Sequence, residues 1–217
     1  MHISPGRGFI FVHIPKTGGT SMALALEARA MADDILIGDT PKAIRRRRRL
    51  AGVSARGRLW KHSRLSDIEG LVPRDAFAEM FVFTMVRNPW DRLVSYYHWL
   101  RAQSFDHPAV QLAKASGFED FVMADETGRS LAANPVDRYL TDSAGVCHAG
   151  GFVRLEHLAE DLDPVCKRLG FRIELDRVNR SDRPRDWRPL YTDRMAERVA
   201  MLCAPDIARF GYRFDPD

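Results

Sequence analysis

The amino-acid sequence predicts an α/β fold in which a central parallel sheet is flanked by helices, and three observations support this prediction. Two continuous apolar runs, at residues 8–14 and 80–86, have the β-branched and aromatic composition of buried strands. A glycine-rich turn and then a run of strong helix formers follow the first strand. A second helical pattern follows the other strand, and such alternation of strands and helices is typical of a parallel sheet.

The first half of the chain begins with a strand, a turn and a helix in that order. The strand leads through the turn at residues 15–21 into a helix predicted over 21–31. A basic and irregular insertion is expected around residues 32–60. Ser66 and Glu69 then fit a capping box that opens a short helix.

The second half of the chain begins at the second apolar run. Pro89 suits the first turn of a helix, which we expect to continue over residues 90–101. Weaker patterns predict helices near 118–124, 156–169 and 192–203, and strands near 151–155 and 172–175.

Length and composition indicate one globular domain over residues 1–217. With 45% hydrophobic and 29% charged residues, the chain is neither fibrous nor wholly disordered. Its three cysteines are widely spaced and include no C-x-x-C pair, which argues against a zinc ribbon and a secreted disulfide scaffold. We therefore expect a cytoplasmic protein. No apolar run approaches the ~18 residues that span a bilayer, so no membrane span is expected.

Positive charge is concentrated in one part of the chain. The net charge is +4, yet ten Lys and Arg residues and no acidic residue lie between Thr40 and Ser66. Five of them are consecutive, Arg45–Arg49, and side chains of one sign this close repel one another. The block indicates an anionic partner: either it is an exposed loop that orders on a polyanion, or it attracts acidic molecules.

The turn after the first strand has the composition of a phosphate-binding loop. A strand that runs through a glycine turn into a helix directs backbone N–H groups at a bound anion, where the helix dipole favours negative charge. The spacing differs from a Walker A loop because the Lys precedes both glycines, and no Mg²⁺ ligand set is evident. This strand–phosphate loop–helix order predicts a P-loop-like sheet. The candidate ligand-binding residues are Lys16, Thr17, Gly18, Gly19, Thr20 and Ser21.

A second anion-binding pattern follows the second strand. Arg87 stands at the end of that strand and offers a planar fork of N–H donors. Ser95 points back toward it from the second turn of the following helix. An ion pair between Arg87 and Asp91 is the structural alternative.

Together the two motifs resemble those of sulfotransferases that use 3′-phosphoadenosine 5′-phosphosulfate (PAPS), in the branch of carbohydrate 2-O-sulfotransferases and related bacterial enzymes. Residues 15–21 are similar to the family's 5′-phosphosulfate loop, and residues 86–97 to its 3′-phosphate motif. With later similar segments, the resemblance covers roughly residues 8–214. It implies that PAPS is the donor substrate and 3′-phosphoadenosine 5′-phosphate (PAP) the product, with no metal. The acceptor would carry a hydroxyl group and would be a saccharide or an acidic molecule.

The resemblance also implies catalytic roles. Lys16 would balance the charge on the leaving phosphate. For the general base we favour His62, which lies between the two motifs where family members often place a catalytic His. A surface histidine is the alternative interpretation of His62, and His98 is the second candidate for the base. His13, inside the first strand, is expected in the core.

Several alternatives stay open. Arg183 or Arg185 could reach a phosphate and Trp187 could pack on the site, or this segment is a solvated loop. A nucleotide-binding, kinase-like P-loop enzyme would turn over ATP with Mg²⁺. A non-catalytic polyanion-binding relative would depend on Arg45–Arg49, with affinity that falls steeply with salt. The sequence indicates no specific nucleic-acid partner and no particular oligomeric state.

Overall fold

The computed structural model describes residues 1–175, 184 and 186–215. The chain divides into two compact units. The first unit comprises Met1–Val86 and Val136–Asn179, and the second comprises Arg87–Pro135 and Arg180–Asp217.

The first unit contains a five-stranded mixed sheet, which confirms the predicted α/β class. Its strands are β1 (His2–Ser4), β2 (Phe9–Val12), β3 (Ile35–Leu36), β4 (Phe81–Val86) and β5 (Ala149–Arg154), in the order β3-β1-β2-β4-β5. Strands β2, β4 and β5 pair in parallel, as expected. Strands β1 and β3 add antiparallel pairings that the sequence did not predict, because they are only three and two residues long.

The helices fall in both units, and most of the predicted ones are confirmed. The patterns near 90–101, 118–124, 156–169 and 192–203 correspond to the fourth, sixth, ninth and tenth helices. In chain order the helices are α1 (Gly19–Ala28), α2 (Pro41–Arg46), α3 (Ala76–Glu79), α4 (Pro89–Arg101), α5 (Pro108–Ala115), α6 (Phe118–Met123), α7 (Asp125–Ala132), α8 (Val136–Tyr139), α9 (Leu158–Leu169), α10 (Asp193–Leu202) and α11 (Ala204–Phe210).

Three local expectations differ from the structure. The segment 32–60 is more regular than expected, since it contains β3, α2 and a 3-10 turn at Arg47–Leu50. The predicted capping box is offset, because Asp67 accepts a hydrogen bond from the Arg64 amide at 2.8 Å. Residues 172–175 form no strand, and the amide of Ile173 donates instead to the Cys166 thiol at 3.3 Å.

Each unit has its own apolar core. In the first unit, alternate residues of β2 and β4 project from one face of the sheet onto α1 and α9. This cluster includes Phe9, Phe11, Phe83, Met22, Leu26 and Val165. In the second unit, α4 packs with α5, α6 and α10 around a core rich in aromatic side chains. That core includes Trp90, Tyr97, Phe121, Trp187, Met195 and Val199.

Two side chains of the arginine run form hydrogen bonds with backbone carbonyls, and three do not. Arg46 donates to the carbonyls of Met31 and Asp34 at 2.8 and 3.2 Å, and Arg49 donates to the carbonyl of Ala32 at 2.5 Å. These two arginines satisfy backbone carbonyls just beyond the end of α1, where positive charge is favourable. The other three arginines of the run, residues 45, 47 and 48, are exposed, and their side chains form no hydrogen bond or ion pair with any described residue.

Candidate active site

The loop between β2 and α1 has a strained backbone. Lys16 has φ 65° and Gly18 has φ 86°, so two of three successive residues adopt the left-handed conformation. This conformation costs a residue with a side chain about 1–2 kcal/mol, and such strain persists where the surrounding structure requires it. The strain at Lys16 therefore marks this loop as a candidate functional site.

The start of α1 has no side-chain cap from the residue before it. Gly18, the residue before the helix, has no side chain that could cap the first amides. The first turn of a helix leaves its N–H groups without partners inside the helix, and the helix dipole adds positive potential there. Gly18 has φ 86°, a conformation that glycine adopts without strain, and a Cβ there would lie 3.0 Å from a methyl of Leu155 and 3.3 Å from the Met85 methyl.

The hydroxyl groups of the loop have different roles. Thr17 is 1% exposed, and its Oγ1 donates to the carbonyl of Ile14 at 2.9 Å. In this arrangement the Thr17 hydroxyl closes the loop, and its role in binding a ligand stays a prediction. Thr20 and Ser21 are partly exposed at the start of α1. The Ser21 amide donates to the Gly18 carbonyl at 3.1 Å.

His62 lies beside this loop in the first unit. Its Nδ1 is 2.8 Å from the carbonyl of His13. A carbonyl only accepts hydrogen bonds, so Nδ1 carries the proton and Nε2 retains a lone pair in the neutral ring. Burial is the main cause that lowers the pKa of His62 to about 4, with a further contribution from Lys61. His62 is therefore neutral at pH 7 and able to accept a proton at Nε2.

The turn that carries His62 is stabilised by hydrogen bonds from a buried serine of the same turn. Ser63 is fully buried, and its Oγ accepts from the Trp60 amide and donates to the Arg58 carbonyl, both at 2.8 Å. The Trp60 ring contacts His62 edge to face at 5.0 Å, and the Arg58 guanidinium lies 5.6 Å from the Trp60 ring centroid. Trp60 is nevertheless 43% exposed. Sequence reasoning missed Arg58 and Trp60, although an exposed Trp in a basic segment next to a histidine is an identifiable signal.

The second unit contains the other predicted residues. Arg87 forms hydrogen bonds from Nε and Nη2 to Asp91 at 2.8 and 2.6 Å, so the ion pair considered as an alternative is present. Asn88 caps α4 by accepting from the Trp90 amide. Ser95 is 3% exposed on the inner side of α4. His98, the second candidate for the base, belongs to this unit and packs edge to face on Tyr97.

Only one of the three residues predicted near the donor at positions 183–187 lies among the described residues. Arg183 and Arg185 lie outside the described residues, while Trp187 is buried in the core of the second unit, stacked on Trp90 at 6.5 Å. Arg154, at the end of β5, binds both oxygens of Asp161 at 2.8 Å. Within the part of the chain that the structure describes, no group of three or more His, Cys, Asp or Glu residues could hold a metal ion. No helix among those residues is long and apolar enough to cross a membrane.

The chain is similar to one family of known proteins. A family model described as the sulfotransferase family matches residues 1–214. Among solved structures, the chain is similar to the crystal structure of mouse sulfotransferase SULT7A1 complexed with PAP. The two chains share 17% identity over 96% of this chain and 87% of that chain, with a TM-score of 0.49. A search of curated proteins gives no match.

The low pKa of His62 predicts acid sensitivity of the fold. The unfolded chain takes up a proton near pH 6.5, whereas the folded protein does so only near pH 4. The unfolded state therefore binds more protons in this window, and the free energy of unfolding should fall by up to about 3 kcal/mol as the pH drops from 6.5 to 4. Urea denaturation at several pH values measures this. His62→Gln, which can still donate to the His13 carbonyl, should have a shallower pH dependence; an identical slope would contradict the prediction.

Proposed function

The chain belongs to the sulfotransferase family, and on this basis we propose that it transfers the sulfuryl group of PAPS to a hydroxyl group of an acidic saccharide. The observation that carries the donor half of this proposal is the loop before α1. Left-handed Lys16 and Gly18 lead into a helix whose first amides have no side-chain cap, which suits the 5′-phosphosulfate of the donor. Membership of the family favours sulfuryl transfer over the kinase-like alternative.

Sulfuryl transfer requires a cation beside the leaving phosphate and a base for the acceptor proton, and we assign these roles to Lys16 and His62. The acceptor oxygen forms a new bond to sulfur while the bond from sulfur to the 5′-phosphate oxygen breaks. The electron pair of that bond remains on the phosphate of PAP, where the Lys16 ammonium balances the charge. The acceptor hydroxyl proton moves to Nε2 of His62, whose other nitrogen is held by the His13 carbonyl. As in phosphoryl transfer, positioning and charge stabilisation supply most of the acceleration.

Arg87 and Ser95 would bind the 3′-phosphate of the donor. The Arg87 guanidinium already holds one carboxylate oxygen of Asp91 through two N–H groups. A phosphate can accept from the same two N–H groups and carries more charge than a carboxylate, so the planar guanidinium suits 3′-phosphate recognition. The buried Ser95 hydroxyl would form a hydrogen bond in a water-poor environment, where such bonds are strong.

The surface around His62 supports an acidic saccharide as the acceptor. The exposed Trp60 ring offers an apolar face for the C–H groups of a sugar, and Arg58 beside it offers donors for a carboxylate or sulfate. The arginine run is close in the same unit. Gly38 lies between α2 and the turn that carries His62. A Cβ built on Gly38 would be 3.7 Å from the Cβ of Lys61, which precedes His62, and 4.0 Å from the Cβ of Ala43 in α2.

Removing the 3′-phosphate contacts tests the donor assignment. Arg87→Ala should weaken PAP binding roughly ten- to a hundredfold, because a charge-assisted hydrogen bond is worth about 1.5–3 kcal/mol. Ser95→Ala should weaken it in the same direction. Neither variant should affect adenosine 5′-phosphosulfate as much, since that ligand lacks the 3′-phosphate. Calorimetric titration of both ligands measures the difference, with Arg101→Ala as a control on the same helix. Equal losses for the two ligands would refute the assignment.

Replacing the base tests the catalytic assignment. His62→Ala should lower kcat by about 10²–10⁴-fold, the usual contribution of a positioned base. The thermal shift produced by PAP should remain. Transfer of labelled sulfate from PAPS to an acceptor measures kcat, and His157→Ala, at an exposed histidine of the same unit, is the control. Near-normal kcat in the His62 variant would assign the base elsewhere, with His98 as the next residue to change.

Two sets of arginine variants test whether the arginine run recruits an acidic acceptor. Replacing Arg45, Arg47 and Arg48 by Ser should raise KM for a carboxylated saccharide, flatten its salt dependence and leave PAP affinity unchanged. Arg46→Ser with Arg49→Ser should instead lower the melting temperature, because backbone carbonyls lose their donors. A neutral saccharide with the same hydroxyl provides the second control. An unchanged KM in the triple variant would contradict the proposed recruitment.

A further inference from the structure

The imidazole of His13 fills the space between the start of α1 and His62. A Cβ built on Gly19, the first residue of α1, would lie 2.2 Å from Cδ2 and 2.6 Å from Nε2 of His13. On its other side, the His13 ring meets the His62 ring edge to face, with centroids 4.6 Å apart. Phe11 stacks against His13 at 6.1 Å. The ring is 6% exposed and is therefore held between the phosphate loop and the proposed base.

We propose that His13 is a positioning residue for His62, which it holds in one tautomer, at a fixed distance from the phosphate loop and shielded from water. The inference rests on the proposed role of His62 as the base. It assigns two functions to one residue: the backbone carbonyl orients the His62 ring, and the side chain covers it.

The carbonyl and the ring of His13 act on different properties of His62. The carbonyl fixes the proton on Nδ1, so that Nε2 is the atom that accepts a proton. The His13 ring occupies volume that water would otherwise fill beside His62. Burial is the largest cause of the low pKa of His62, so removal of the His13 ring should hydrate His62 and raise that pKa.

The other charged groups around the two rings do not depend on the His13 side chain. Lys61 and Asp39 form an ion pair at 2.6 Å and act on the pKa of His62 in opposite directions. The amino group of Met1 lowers it further. Lys16 acts on His13, whose own pKa is held well below its ordinary value, chiefly by burial and also by His62, Lys61 and the Met1 amino group. A neutral His13 can therefore be replaced by an apolar ring without removing a charge.

The same contact explains why residue 19 is glycine. Any Cβ at Gly19 would overlap the His13 ring, whereas a bound anion needs only the backbone amide. Gly19→Ala should consequently displace the His13 ring toward His62. In a protein that also carries His13→Ala, the Cβ at position 19 would have room.

The direct experiment is an NMR titration of the His62 ring in three proteins. The wild type should titrate near pH 4. In His13→Ala the midpoint should rise toward the ordinary value of 6.5, because water reaches His62. His13→Phe, which keeps a ring of similar shape and the same backbone carbonyl, should titrate near the wild-type value. If His13→Ala does not fold, His13→Asn serves the same purpose. An unchanged His62 midpoint in the variant without the ring would overturn the inference.

Turnover gives a second readout. His13→Ala should lower kcat by about 10- to 100-fold, as expected when a catalytic group moves by about 1 Å, and should leave PAP affinity within about twofold. His13→Phe should restore most of the lost kcat. Equal loss in both variants, or loss of PAP binding with kcat, would assign His13 to the donor site or to folding and would overturn the positioning role.

A double-mutant cycle tests the contact between Gly19 and His13. Gly19→Ala alone should lower kcat, while the double variant with His13→Ala should be no worse than His13→Ala alone. Additive losses would show that Gly19 acts independently of His13. These outcomes are distinguishable from failure of the proposed function: if the wild type transferred no sulfate, the NMR titration would still report whether the His13 ring controls the pKa of His62.

Discussion

The loop from His13 to Gly19 is the constraint on which the candidate site depends. Lys16 and Gly18 adopt left-handed conformations within three residues, and Gly19 begins α1 in contact with the His13 ring. The chain thereby turns from a buried strand into a helix that has no side-chain cap from Gly18. The same stretch supplies the carbonyl that holds His62. The proposed phosphate-binding loop and the orientation of the His62 ring thus depend on one short, strained segment.

Some of the basic side chains between residues 40 and 66 bond to backbone carbonyls, and others remain exposed to solvent. Arg46 and Arg49 satisfy carbonyls beyond the end of α1, and the ammonium of Lys42 donates to the Glu27 carbonyl within that helix. These contacts stabilise the fold. The exposed members of the run, together with Arg58 beside Trp60, retain charge that can attract an acidic acceptor. Two of the five consecutive arginines are thus accommodated by backbone carbonyls, and the other three by exposure to solvent.

The sequence predicted the parts of this structure that depend on local patterns. The strands at Phe9–Val12 and Phe81–Val86 and the helix at Pro89–Arg101 follow from continuous apolar runs and a proline signal. The short strands β1 and β3 have no periodicity to detect, because sheet pairing forms them and not their own composition. Site geometry was less predictable: that the Thr17 hydroxyl closes the loop, and that His13 lies on Gly19, depends on contacts formed only in the folded chain.

The most direct test of the central claim is a titration of the protein with PAP, followed through backbone amide NMR signals. If the start of α1 binds the 5′-phosphate, the amides of Gly18, Gly19 and Thr20 should shift the most, and adenosine without phosphates should leave them unchanged. Saturable PAP binding that leaves these three amides unmoved, or no binding of PAP at all, would contradict the account.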